Sequence, residues 1–278
     1  STGEQLVKAL LEREHFTKIR DLSQSLAEGD GEHSVEEVEN ALDQYRTELG
    51  RTNILESSLI DLDIPELFAS TAVDGFEFRM SSLKTAIGPL PKGSMVLAAA
   101  RPEAGKSTFL ASEVSHMALE LPEDRTVLVI ANEEPGAAIK TRYVQAALGM
   151  SRVDIQKDPI KAKALFESTH KRTVTDLYKF FHNPSFRMYD IRKLAEKYKP
   201  SIIVFDQLRN VQGFEKRSGT EVERLKFLYQ EARQLAAEYG VVLTVHQAGG
   251  ASEGVDYIPG NNLEGCQTEV QGSLDVQI

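Results

Sequence analysis

The sequence predicts an α/β protein whose mostly parallel sheet is preceded by a small helical segment. Short apolar runs with the length and composition of buried strands recur along the chain, at residues 95–100, 127–131, 202–205 and 241–245. Helical patterns lie between them, at about 107–120, 135–149, 189–198 and 220–239. Because strands that alternate with helices form βαβ units, this order predicts a doubly wound sheet.

The N-terminal part of the chain has a helical pattern without strands. Its apolar residues keep helical spacing up to a glycine-containing break at 29–31, after which Ser34 opens a capping box with Glu37. We predict either a helical hairpin that packs on its own domain or a linker that docks on a neighbouring subunit. Three regions are thus predicted: a helical segment at 1–50, a connector at 51–75 and the α/β domain at 76–278.

The composition excludes several classes of protein. No apolar run approaches the ~20 residues that cross a bilayer, and the polar N-terminus is unlike a signal peptide, so we expect no membrane partner. A single cysteine, Cys266, excludes an internal disulfide and a cysteine zinc cluster, which favours an intracellular protein. The net charge of −10 excludes a uniformly basic coat for nucleic acid, but basic loops that line a channel remain compatible with it.

The most specific motif follows the first predicted strand and opens a helix. It comprises Ala100, Arg101, Pro102, Glu103, Ala104, Gly105, Lys106, Ser107 and Thr108. This context is that of a Walker A loop, in which backbone N–H groups surround phosphates at a helix N-terminus. We therefore expect Lys106 to bind the β- and γ-phosphates of ATP and the Ser107 hydroxyl to ligate Mg²⁺, with Thr108 beginning the helix proper. The alternative to a Walker A loop is a strand–turn–helix in which the sequence Gly-Lys-Ser occurs by chance.

The first position of this loop, Ala100, departs from the usual glycine. Ala-Arg-Pro, followed by three residues that end in Gly-Lys, resembles the Walker A loop of the DnaB-type hexameric replicative DNA helicases, which belong to superfamily 4. The resemblance covers residues from about 75 to 278, and more loosely the helices before them. It implies a RecA-like P-loop NTPase core for the predicted α/β domain.

The resemblance also assigns the acidic residues. In these helicases the second strand ends in a glutamate that activates the attacking water, and Glu133 occupies that position, with Glu134 as the alternative. Both glutamates could instead be surface acids that cap the next helix. The apolar run 200–206 ends in Asp206, which in register after a Walker A loop resembles Walker B and would hold Mg²⁺ through its waters.

The strand at 241–245 leads into a candidate sensor of the γ-phosphate. Gln247 fits the bacterial helicases and His246 the phage primase-helicases, and we favour Gln247. His246 as a plain polar strand terminus is a further alternative.

Two segments after the last predicted strands are candidates for DNA contact. Residues 209–219 are locally basic and include Arg209, Lys216 and Arg217, while residues 247–265 are glycine-rich. In RecA-like hexamers the corresponding loops face the central channel and follow single-stranded phosphates without base preference. Flexible surface connections are the alternative. The second segment ends in residues that resemble the family's Asp-Leu-Arg stretch, with Asn262 and Gly265 as candidate contacts, although Glu264 stands where a basic residue is expected.

The resemblance as a whole implies an ATP-dependent replicative helicase that translocates on single-stranded DNA as a homo-hexamer. Its cofactors would be ATP and Mg²⁺, and its partners the primase, loader or polymerase of a replisome. It would lie in the cytoplasm of a bacterium or of a phage-infected cell. Another RecA-like ATPase, such as a recombinase or a clock-type ring, and a non-motor loader that uses ATP as a clamp are the alternatives.

One expectation concerns the C-terminal end. The family's arginine finger comes from the neighbouring subunit and lies beyond the strand that follows the second DNA loop. The chain ends at Ile278, in or after an apparent strand at 274–278, so we expect a motor domain that is incomplete at its C-terminus and hydrolyses bound Mg-ATP poorly. Alternatively, an internal basic residue, Arg142 or Arg209, takes the place of the arginine finger and supplies its positive charge.

Overall fold

A computed structural model describes most of the chain, namely residues 2–28, 34, 37–42, 44–45, 75–212, 220–248 and 272–278. The chain divides into two compact units, Ser1–Ser70 and Thr71–Ile278. The three regions expected from the sequence remain a prediction, because the expected connector lies almost wholly outside the described residues.

The first unit contains the helix α1 (Thr2–Glu28), which ends where the glycine-containing break begins. The predicted capping box is present, since the Glu37 N–H donates to Ser34 Oγ at 3.3 Å and the Ser34 N–H donates to Glu37 Oε2 at 3.0 Å. The ring of Tyr45 lies 5.2 Å from that of Phe16, so the second helical stretch packs on α1. The two described helical stretches therefore pack on each other, while packing on the α/β domain and docking on a neighbouring subunit both remain predictions.

The second unit is built around a parallel six-stranded sheet in the order β5-β4-β6-β7-β3-β8. A two-stranded antiparallel ribbon, formed by β1 (Gly75–Phe76) and β2 (Leu90–Pro91), precedes it. The strands of the large sheet are β3 (Met95–Ala100), β4 (Thr126–Ala131), β5 (Tyr178–His182), β6 (Pro200–Asp206), β7 (Val241–Gln247) and β8 (Val276–Gln277). The predicted α/β class and its four predicted strands are confirmed.

Helices connect most of these strands. They are α2 (Ser81–Ile87), α3 (Lys106–Met117), α4 (Gly136–Leu148), α5 (Arg152–Lys157), α6 (Pro159–His170), α7 (Val174–Leu177), α8 (Met188–Tyr198) and α9 (Glu221–Tyr239). The last helix has well-defined ends, because Thr220 and Glu223 form a reciprocal capping box and Gly240 follows its last turn. No helix among the described residues has both the length and the apolar character to span a membrane.

The sheet is buried on both faces, so its strands are apolar at almost every position. Alternate residues of β3, β4, β6 and β7 pack with α3 and α4 on one face, as Val96 and Val129 do. The residues between them, such as Leu97 and Ile130, pack with α8 and α9 on the other face. Because side chains alternate along a strand, this assignment also determines the face on which each polar residue at a strand end lies.

The strand β5 and the helices α2 and α5 to α7 were not predicted from the sequence pattern. The strand β5 has only five residues and is rich in aromatic side chains, which contact one another and the Tyr143 ring of α4. Tyr178, for example, lies 5.6 Å from Tyr143 and 5.5 Å from Phe180. Tyr143 is distant from Tyr178 in the sequence, and Phe180 is only two positions away. Periodicity alone therefore does not distinguish this edge strand from a helical segment.

Candidate functional site

The Walker A segment forms a tight loop between β3 and α3. Gly105 has φ 88° and Glu103 φ 61°, both in the left-handed region, and the Ala104 N–H donates to the Arg101 carbonyl at 3.3 Å. Glycine at 105 adopts this conformation without the steric cost of a side chain. The helix α3 begins at Lys106, two residues before the predicted start at Thr108, because the Phe109 N–H already bonds the Gly105 carbonyl at 2.9 Å.

Lys106 reaches back across the loop that precedes it. Its Nζ donates to the carbonyl of Arg101 at 2.8 Å and to that of Ala100 at 3.3 Å. Burial lowers the pKa of Lys106, while the nearby carboxylates of Glu133 and Asp206 oppose that change. The ammonium therefore lies within the loop and near two acids, and a phosphate could take over its donor groups.

Ser107 and Asp206 meet at the carboxyl edge of the sheet. The Ser107 hydroxyl donates to Asp206 Oδ1 at 3.1 Å, although the two residues lie 99 positions apart. Asp206 is 5% exposed, and its second oxygen, Oδ2, is buried without a hydrogen-bond partner. Burial raises the pKa of the Asp206 carboxyl, the Ser107 hydrogen bond opposes this, and the charges of Glu134 and Glu133 raise it further.

These oxygens fit a magnesium ion bound together with nucleotide phosphates. Mg²⁺ is usually held by one or two carboxylates, waters and phosphate oxygens, and it does not require a cage of protein ligands. No cluster of three or more His, Cys, Asp or Glu side chains suited to a metal occurs in the described part of the chain. Among the described residues, the unpartnered Asp206 Oδ2 and the Ser107 hydroxyl are therefore the candidate metal-ligating oxygens.

The two candidate glutamates have different partners. Glu133 is exposed, and one of its oxygens accepts a hydrogen bond from the Gln207 amide. Glu134 forms an ion pair with Arg142, at 2.9 Å between Nη2 and Oε2. The Arg142 guanidinium thus holds Glu134 against α4, whereas no hydrogen bond from a described residue reaches the second carboxylate oxygen of Glu133.

The two candidate sensors lie on opposite faces of the sheet. Gln247 pairs in register with Ala100, the first residue of the Walker A segment, and shares the face on which α3 packs. His246 lies on the face of α9, fully buried, with its Nδ1 2.9 Å from the Tyr229 hydroxyl. The geometry favours Gln247 over His246, because only Gln247 lies on the face that bears the Walker A helix.

The predicted DNA contacts are only partly described. Arg209 lies in a 3₁₀ turn (Leu208–Asn210) directly after β6, and its carbonyl accepts a hydrogen bond from the Arg224 guanidinium at 2.8 Å. The hydrogen bond from Arg224, with the charges of Arg224 and Arg209, lowers the pKa of Glu221, so Arg209 lies close to an acidic residue. The other four candidates lie outside the described residues: Lys216, Arg217, Asn262 and Gly265.

Two further polar residues belong to this edge of the sheet and received no site role in the sequence analysis. Asn132 donates from Nδ2 to the Gln207 carbonyl at 3.0 Å, and the Gln207 amide contacts Glu133. Both residues directly follow a buried strand, and an open α/β sheet binds ligands at such positions. Their place after a strand could therefore have identified them from the sequence. Arg142, considered there only as an alternative arginine finger, pairs with Glu134, a contact that depends on how α4 packs. Its role as a finger stays a prediction.

Comparisons with known proteins agree with this geometry. A family model described as an AAA domain matches residues 63–253, more than half of the chain. One solved structure, described as an ATPase domain, is 16% identical and has a TM-score of 0.59 over 77% of this chain and 78% of that chain. A DnaB-like replicative helicase, reported with its interactions with primase, is 15% identical and has a TM-score of 0.63 over 100% of this chain and 68% of that chain.

No curated protein matches the sequence. At identities of 15% and 16% the two structural similarities establish the fold, and the predicted RecA-like core is thereby confirmed. The family match and the Walker A geometry agree on a nucleotide-binding domain. The chain therefore belongs to the AAA domain family, and its P-loop ATPase domain has the fold of DnaB-like replicative helicases.

Proposed function

We propose that this chain is the ATP-driven motor of a replicative DNA helicase, which translocates on single-stranded DNA as a homo-hexameric ring. The observation that carries the proposal is the meeting of a Walker A lysine, a Ser107–Asp206 pair, Glu133 and Gln247 at one edge of the sheet. The fold shared with the DnaB-like helicase supports the choice of a DNA motor among ATPases.

The Walker A segment binds the triphosphate. Lys106 exchanges its carbonyl partners for the β- and γ-phosphates, and the N–H groups at the start of α3 surround the same charge. Ser107 and Asp206 would hold Mg²⁺, and the bound ion would supply positive charge that neutralises the phosphate oxygens. The Ser107 hydroxyl would then leave Asp206 Oδ1 and donate elsewhere, which frees both carboxylate oxygens.

Glu133 acts as the general base of hydrolysis. It accepts a proton from the water whose oxygen forms a bond to the γ-phosphorus, while the bond from that phosphorus to the bridging oxygen of ADP breaks. The products are ADP, inorganic phosphate and a proton. Glu134 is the less suitable base, because its carboxylate is already neutralised by Arg142 at 2.9 Å.

Gln247 reports the state of the γ-phosphate. Its side chain lies on the face of the Walker A helix, and the chain after it continues into the glycine-rich segment proposed to contact DNA. Loss of a hydrogen bond from Gln247 on phosphate release would move this segment. DNA binding itself rests on a few basic side chains and backbone amides, including Arg209, Lys216 and Arg217.

A strand-displacement assay tests the proposal. The purified chain is mixed with a forked DNA duplex, Mg²⁺ and ATP, and both strand displacement and ATP hydrolysis are measured. The symmetry of the particles is determined by electron microscopy. We expect sixfold rings, and displacement that is slow and occurs only with hydrolysable ATP. Strand exchange without displacement would instead indicate a recombinase, and nucleotide binding with negligible turnover would indicate a loader-type clamp.

A replisome partner is part of the proposal. The DnaB-like helicase of similar fold was studied with primase, and we propose the same class of partner here, with a loader or polymerase as further candidates. Co-purification of the ring with a primase from the same genome, compared with the ring alone, measures this contact.

A further inference from the structure

Gln207 has an unusual backbone conformation at the centre of the site. It follows Asp206 directly, is 5% exposed, and has φ 73° and ψ 83°. A positive φ is uncommon for any residue other than glycine, and such strained positions cluster at functional sites. The surrounding structure must therefore hold Gln207 in place.

Hydrogen bonds hold Gln207 on several sides. Its carbonyl accepts from Asn132 Nδ2 at 3.0 Å and from the Asn210 N–H at 3.1 Å. The next residue, Leu208, donates its N–H to the Thr244 hydroxyl at 3.3 Å. These contacts connect Gln207 to the neighbouring strands β4 and β7, so its side-chain amide projects from a rigid base.

The Gln207 amide donates to one oxygen of the Glu133 carboxylate. Glu133 is exposed and follows the end of a strand, so without this contact its side chain could adopt several rotamers. A general base must be oriented toward the water it deprotonates, and a second group commonly orients it. The donor here occupies one oxygen and leaves the other for the water.

We infer that Gln207 is the positioning residue of Glu133, and that it ties the hydrolytic carboxylate to the turn Leu208–Asn210. This inference rests on the proposed role of Glu133 in ATP hydrolysis. The neighbouring Glu134–Arg142 pair does not supply this orientation, since it engages the other glutamate. Gln207 touches neither nucleotide nor water in this role and acts only through Glu133.

Three substitutions separate positioning from a structural role. Gln207→Leu removes the donor at similar size, Gln207→Gly accepts the positive φ without strain, and Gln207→Asn keeps an amide on a residue that tolerates this conformation. Gln230→Leu, at an exposed position of α9, is the matched control. Each variant of the full chain is assayed for Mg-ATP affinity and for turnover with and without single-stranded DNA.

We expect kcat to fall on the order of 10- to 100-fold in the Leu and Gly variants, because small displacements of a catalytic group cost about this much. KM for ATP and Mg-ATP affinity should stay near those of the wild type, and Gln207→Asn should recover part of the rate. In a Glu133→Gln background, Gln207→Leu should cause no further loss. Gln230→Leu should behave as the wild type.

Unchanged kcat in both the Leu and Gly variants would overturn the inference, as would a full additional loss in the Glu133→Gln background. Loss of Mg-ATP affinity together with kcat would also overturn it, because Gln207 would then maintain the whole site. If the wild type hydrolyses ATP but displaces no strand, the helicase proposal fails while the same kcat comparison still decides the role of Gln207. Turnover by Glu133→Gln at the wild-type rate would refute the inference in either case, because Glu133 would then not be the base that Gln207 positions.

Discussion

Asp206→Asn should stabilise the nucleotide-free protein while it abolishes magnesium-dependent ATP binding. Asp206 is buried, and its Oδ2 has no hydrogen-bond partner. Burial raises the pKa of its carboxyl, and the charges of two nearby carboxylates, Glu134 and Glu133, raise it further. The site thus keeps a charge that the folded protein does not favour. An asparagine retains the oxygen that accepts from Ser107 and removes the charge.

The magnitude follows from the unsatisfied atom. A buried polar group without a partner costs about 1–3 kcal/mol, and more when it is charged. The substituted amide recovers only part of this, since its N–H groups must find acceptors such as the neighbouring carboxylates. We expect the free energy of unfolding to rise by about 1–2 kcal/mol, which for a chain of this size raises Tm by about 2–8 °C.

The effect should depend on pH with a defined sign. The pKa of Asp206 is raised in the folded state above the ordinary 3.8, so the folded protein binds this proton more tightly than the unfolded chain does. The cost of the charge is therefore fully present at neutral pH and disappears as pH falls through the raised pKa toward 3.8. The Tm advantage of Asp206→Asn should shrink over the same range.

Differential scanning calorimetry without nucleotide or Mg²⁺, from neutral pH downward, measures this effect. Asp124→Asn is a matched control, because the Asp124 side chain is 77% exposed and its nearest ion-pair distance is 3.7 Å. Titration with Mg-ATP measures the loss of binding. A lower Tm for Asp206→Asn than for the wild type at neutral pH would refute the reasoning, since the charge would then be stabilised by the site.

Three further outcomes are expected. Lys106→Ala should abolish productive Mg-ATP binding in a nucleotide titration, because the phosphates lose their main side-chain counter-charge; near-native affinity would remove the Walker A assignment. Glu133→Gln should bind ATP normally but hydrolyse it about 10²–10⁴-fold more slowly, since an amide accepts no proton from water. If Glu134→Gln is the slow variant instead, the assignment of the base is wrong by one residue. Lys216→Ala combined with Arg217→Ala should weaken single-stranded DNA binding and reduce the slope of log affinity against log salt by about 1.4, and an unchanged slope would exclude that segment from the contact surface.

The sequence was sufficient wherever the information is local. The Walker A loop is contiguous, and its spacing after a buried strand already places Lys106 and Ser107 at a helix start. The capping boxes at Ser34 and Thr220 are likewise local, because they join residues three positions apart. The two carboxylates and the sensor could be proposed because each follows an apolar strand, and the carboxyl ends of parallel strands meet at one edge.

Tertiary structure alone decided how these pieces meet. The register of β3 with β7 puts Gln247 on the face of the Walker A helix and His246 against Tyr229, a choice that the strand's own sequence leaves open. Ser107 and Asp206 bond across 99 positions, and Gln207 contacts Glu133 across 74. Residues so far apart become neighbours only through strand order, and strand order depends on the packing of the whole sheet. The sequence by itself therefore determined which residue types could be proposed for the site, while the sheet determined which of those residues lie side by side.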